Sequence, residues 1–222
     1  MYQSLFYKEW IKTRKIIGLL VVVFIGLISY IFIEILQQLR TSGAVNFVES
    51  VVQKDILLLP LIKYLPVLSG ILLAISQYTP EMQNKRLKLT LHLPMSESSI
   101  VSAMVGYGFI VMLSLLAVSF AILLIGLGIL FPAEIVCANF LSALPWFLAG
   151  FAGYLLATWV CLEPVWKYRV FNSIPGIAIL SFFFISTKSG GGVTFLPELI
   201  VVILASLLFG YYSIARFKEG AQ

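Results

Sequence analysis

The chain has 222 residues, of which 60% are apolar and only 11% charged, with a mean hydropathy of +1.02 and a net charge of +5. Charged residues make up about a quarter of a soluble domain, so this composition excludes one and implies an integral membrane protein. Each crossing takes roughly 20 apolar residues, which leaves room for a single all-α bundle of about six helices and for no sizeable soluble catalytic domain.

The first residues, "MYQSLFYKEWIKTRK", place Tyr2, Leu5, Phe6 and Trp10 on one side of a helical wheel, with Glu9 interrupting that stripe. The pattern predicts an amphipathic helix over 1–15 lying in the membrane interface before the chain turns inward. A disordered basic leader is the plainer alternative. The stretch carries too many charges and aromatics for a cleaved signal peptide. Apolar runs then predict spans at about 16–36 and 57–75, followed by a polar loop at 76–99 that contains "MQNKRLKLTLHLPM". From Ser98 to Ala133 there is no charge, and the run reads as one long third span at about 100–131, closed by Pro132. Further spans are expected at about 140–161, 170–187 and 199–215, with "KSGGG" at Lys188–Gly192 supplying a flexible turn between the last two. No run alternates as the strands of a membrane barrel do.

Lys and Arg collect in short cytoplasmic loops. With the N-terminus inside and six spans, the inner side holds Lys8, Lys12, Arg14, Lys15, Lys85, Arg86, Lys88, Lys167, Arg169, Arg216 and Lys218, which is 11 of the 15 basic residues. The outer side holds Arg40, Lys54 and Lys188. Seven spans would send the later basic loops to the wrong side. The expectation is a multi-pass protein of a bacterial inner membrane with both termini in the cytoplasm, its basic charge serving topology and the lipid bilayer rather than nucleic acid.

Little in the chain points to chemistry of its own. Cys137 and Cys161 fall about a bilayer apart and cannot pair. His92 is the only histidine, so neither a histidine-based metal site nor a Ser-His-Asp triad can be assembled. No G-x-x-x-x-G-K-[ST] motif occurs, so nucleotide hydrolysis is not expected on this chain. Glu34 and Lys63 are the ionisable side chains expected within spans, both toward the outer ends. A charge there needs a partner or a watery cavity. Either the two pair across the first two helices at the mouth of a pathway, or each reaches separately for the headgroups.

The 76–99 loop carries Glu81, Arg86, Leu87, Leu91 and the phrase "LPMS" ahead of a long third span, and "KEW" and "TRK" precede the first. This order resembles the permease subunits of ABC-2 type ABC transporters. The resemblance implies a transport subunit rather than an enzyme, acting as an exporter. A separate ABC ATPase would supply ATP and Mg, and a second permease copy or a sibling permease would complete the path. It also implies coupling to that ATPase through 76–99, with Glu81, Lys85, Arg86, Leu87 and Lys88 at the dock. For the three basic residues, ordinary positive-inside placement is an equal alternative. Where many relatives carry re-entrant helices, the connection Thr187–Leu199 is short and glycine-rich. An ion-coupled secondary transporter, or another polytopic protein without an ATPase, is the competing reading. It would need an inverted repeat or several midplane charges, neither of which is evident.

Overall fold

A computed structural model describes residues 2–53, 58–83, 96–185 and 193–218, and among these there is no strand. Helix α1, Tyr2–Ser42, is a single uninterrupted helix of 41 residues, about 60 Å long at 1.5 Å per residue. It corrects the expected division into an interfacial helix at 1–15 and a span beginning at 16. The reason lies in its buried side. Leu5, Glu9, Thr13, Leu20, Phe24, Ile28, Ile31 and Ile35 recur at helical spacing along one stripe, so one face stays covered from end to end and nothing favours a turn near residue 15. The expected apolar face shifts accordingly: Tyr2 and Trp10 are exposed, and Glu9, 1% exposed, is on the buried side.

Gly43, at φ +78°, stops α1. This left-handed conformation costs a glycine little and satisfies the last turn of a helix. Helix α2, Ala44–Gln53, follows and buries Phe47 and Val51. A 3-10 turn at Pro60–Ile62 leads into α3, Leu65–Met82, which has Pro66 in its first turn, where the missing N–H costs nothing. Helix α4 spans Glu97–Leu130; the residues Phe131 and Pro132 are extended and break it from α5, Ala133–Leu162. Helix α6 is Trp166–Ser181, continued by a 3-10 turn at Phe182–Phe184, and α7 is Leu196–Lys218 after a 3-10 turn at Val193–Phe195.

Cross-helix contacts fix the directions. Lys12 of α1 meets Glu81 near the end of α3, and Thr13 meets Tyr107 near the start of α4. Phe120 of α4 packs on Phe140 and Phe147 of α5, and Ser213 of α7 bonds to Glu163 just beyond α5. Helices α1, α3, α4, α5, α6 and α7 therefore alternate up and down, with the start of α1 and the end of α7 at the same end of the bundle. That end carries Lys8, Lys12, Lys167 and Arg169 and is called the basic end below. Four helical stretches, Tyr2–Ser42, Pro60–Met82, Ser98–Leu130 and Ala133–Leu162, are long and apolar enough to cross a membrane; Leu196–Gly210 is a shorter apolar helix.

Helix α5 is the centre, packed against α3, α4, α6 and α7. Its contact with α3 is backbone to backbone: a Cβ added at Gly70 would fall on the carbonyl oxygen of Gly150, and one at Gly153 would lie 2.8 Å from Val67 Cγ2. Since lipid tails are as apolar as leucine, helices in a membrane associate through such close packing of small residues and not through hydrophobic exclusion.

Candidate functional site: a buried ion cluster at the basic end

Polar side chains are scarce in this interior, so the places where they gather are informative. At the basic end, α1 contributes Lys8, Glu9, Lys12 and Thr13, and α3 contributes Glu81. The Lys12 ammonium lies 2.6 Å from Glu9 Oε1 and 2.7 Å from Glu81 Oε1, and Lys8 Nζ lies 2.9 Å from the same Glu81 oxygen. Two ammonium groups and two carboxylates thus balance in charge. The side chains of Glu9 and Glu81 are 1% and 3% exposed, Lys12 15% and Lys8 37%. Leaving a buried charge of such a set with no counter-charge costs about 3–5 kcal/mol. Glu9 Oε2 is buried and has no hydrogen-bond partner among the described residues.

Thr13 ties this cluster to α4. Its hydroxyl donates to the Glu9 carbonyl at 2.9 Å and lies 2.7 Å from the Tyr107 hydroxyl. Phe6 meets the Tyr107 ring edge-on at 5.7 Å. One turn deeper along α3, Gln77 Nε2 donates to the Met104 carbonyl at 2.8 Å and Gln77 Oε1 accepts from the Tyr154 hydroxyl at 2.9 Å, joining α3 to α4 and α5. Tyr78 and Tyr154 approach hydroxyl to hydroxyl at 3.2 Å. On the other side of α5, Glu163 accepts from Ser213 at 3.1 Å, and its carbonyl accepts from Arg169 Nε at 2.6 Å.

Of the residues singled out from the sequence, Glu81 is part of the cluster. Lys85, Arg86, Leu87 and Lys88 lie outside the described residues. Glu34 is half-buried on α1 and Lys63 half-buried before α3, but no ion pair joins them. The Lys63 ammonium lies instead over three rings, 5.5 Å from Tyr64, 6.0 Å from Trp146 and 5.9 Å from Phe184. Those faces offer a cation an electrostatic berth without a carboxylate. Lys8, Glu9, Lys12, Thr13, Gln77, Tyr107 and Tyr154 were not anticipated as a constellation. One signal pointed there: an acidic residue set on the otherwise apolar stripe of a basic helix.

Among the described residues no group of three or more His, Cys, Asp or Glu side chains could hold a metal ion. Cys137 and Cys161 are both free, the first exposed and the second half-buried. An apolar cavity of about 390 Å³ opens between α5, the turn after α6 and the start of α7, lined by Pro145, Phe183, Leu199 and Val202, with Glu198 the charged one among its described residues. No family model, no curated protein and no solved structure matches the chain.

Proposed function

We propose that the chain is the transmembrane permease subunit of an ABC-2 type ABC transporter acting as an exporter. It would cross a bacterial inner membrane six times with both termini in the cytoplasm. A separate ABC ATPase would hold ATP and Mg and dock on the 76–99 segment, and a second copy of this chain or a sibling permease would complete the path. The sequence resemblance at Glu81, Arg86, Leu87 and "LPMS" gives the reading its family.

The observation that carries the coupling is the ion cluster. Glu81 stands at the root of the basic segment and is held at once by Lys8 and Lys12 of α1. A push on that segment therefore acts on α1 and α3 together. Because Thr13 and Gln77 bond onward to Tyr107, Met104 and Tyr154, it acts on a connected network rather than on one helix. A dock that moved only its own loop could not change the shape of a pathway.

The test is co-purification after crosslinking in native membranes, followed by ATP hydrolysis of the complex. The expected partner is an ABC ATPase. The double variant Arg86→Asp, Leu87→Asp should lose it while still inserting in the membrane. An ATPase retained by the double variant would reduce the segment to a topological anchor. Transport that proceeds without any ABC ATPase would overturn the reading.

A further inference from the structure

The four charges of the cluster are not equivalent. Glu81 Oε1 serves both Lys8 and Lys12, whereas Glu9 uses one oxygen on Lys12 and keeps Oε2 buried with no partner among the described residues. A bare carboxylate oxygen in the interior is a large desolvation penalty for a closed structure to carry. The burial of the two lysines suggests its use. Lys8, at 37% exposure, can turn to water if Glu81 leaves, but Lys12, at 15%, cannot.

The neighbouring contacts mark what stays and what moves. Thr13 and Phe6 pin the start of α1 to Tyr107 of α4, and Gln77 pins α3 to Met104 and Tyr154. Between that pin and Glu81 stands Pro80, which has no N–H to give the helix and is a natural point of bending in its last turn.

We infer that Lys8, Lys12, Glu9 and Glu81 form a two-position latch, closed when Glu81 grips both lysines and open when the end of α3 bends away at Pro80, with Glu9 keeping Lys12 neutralised in either position. The closed position is the one described here. In the open position Lys12 remains buried against Glu9, while Lys8 and Glu81 are hydrated. The inference deepens the proposed function only in naming what would pull the latch, the 84–95 segment. It is tested on the chain alone, so its failure leaves the permease reading standing, and the failure of that reading leaves the latch.

The experiment is a double-mutant cycle of Glu81→Gln and Glu9→Gln on the full chain in detergent, read as the folding equilibrium constant. It is paired with spin labels at Ile11→Cys and Gln83→Cys in a background lacking Cys137 and Cys161. With Glu9 present, Glu81→Gln is expected to lower the folding constant by less than about tenfold and to lengthen and broaden the label separation. With Glu9→Gln, the same change takes both carboxylates from the buried Lys12 ammonium and should cost at least another tenfold, the non-additivity of residues sharing one network. Equal effects of Glu81→Gln in both backgrounds would overturn the latch, as would an unchanged label separation. Should the double variant not fold, Glu81→Gln alone decides: folded with separated labels supports the latch, and unfolded or unseparated rejects it.

Discussion

The Tyr154 hydroxyl donates to Gln77 Oε1 at 2.9 Å in the interior of the bundle, joining α5 to α3 through residues 77 apart in sequence. Gln77 passes the link to α4 by donating to the Met104 carbonyl at 2.8 Å. Gly108 makes room for it, since a Cβ there would collide with the Tyr154 hydroxyl. Replacing Tyr154 by Phe removes the donor and leaves Gln77 Oε1 unmet where water is scarce. The expected cost is about 1–3 kcal/mol, measured as a lower midpoint of thermal unfolding at fixed detergent. Tyr78→Phe, whose hydroxyl makes a longer 3.2 Å approach to Tyr154, is expected to cost less, about 0.5–1.5 kcal/mol.

The α3–α5 contact gives a second test through glycine. Gly70 meets the Gly150 backbone so closely that the Cβ of an alanine has nowhere to go, and a carbonyl cannot swing aside as a side chain can. Gly70→Ala should therefore separate the two helices and cost about 1–3 kcal/mol or more. Gly18 and Gly26 on α1 have open space around the same position. Gly26→Ala should be neutral or stabilise by about 0.5–1 kcal/mol, because glycine is a poor helix residue. If both variants lose stability alike, the close approach of α3 and α5 is wrong.

How much of this was legible in the sequence divides along local and non-local lines. The apolar runs announce long helices because length and hydropathy are local properties, and the break at Pro132 follows from a residue that cannot continue a helix. The continuity of α1 through Lys8, Glu9, Lys12 and Thr13 was not legible, since the charge run looks like an exit from the membrane until Glu81, about 70 residues later, is brought alongside it. Likewise Lys63 reads in the sequence as a cation that either pairs with Glu34 or reaches on its own for the headgroups. The rings that receive it come from Tyr64, Trp146 and Phe184, on segments whose meeting only the fold decides.

That placement of Lys63 makes a prediction for charge exchange. Glu34→Lys and Lys63→Glu should show no rescue when combined, with a coupling energy below about 0.5 kcal/mol, because the two groups do not meet. Lys63→Met should cost about 0.5–2 kcal/mol for the lost cation–ring attraction, whereas Glu34→Gln should change stability little. Unfolding midpoints of the five variants check this, and a clear rescue by the double exchange would place the two side chains together after all.

The number of crossings is settled by labelling, and the informative position is Ser189. Among the described residues four helical stretches are long and apolar enough to cross, while α6 has only 16 residues. At 1.5 Å per residue α6 covers about 24 Å, short of the roughly 30 Å hydrocarbon core. Four or six crossings both return the chain to the basic end, so the location of the termini cannot distinguish them. The connection between α6 and α7 can. With Cys137 and Cys161 replaced, a membrane-impermeant maleimide should reach Thr41→Cys and Ser189→Cys on intact cells, and Ser96→Cys only after permeabilisation. In that outcome α6 and α7 cross, and the bilayer thins or their flanking turns make up the length. If Thr41→Cys reacts from outside but Ser189→Cys is protected from both sides, α6 and α7 form a hairpin that turns back within the membrane, and the proposed count falls from six to four.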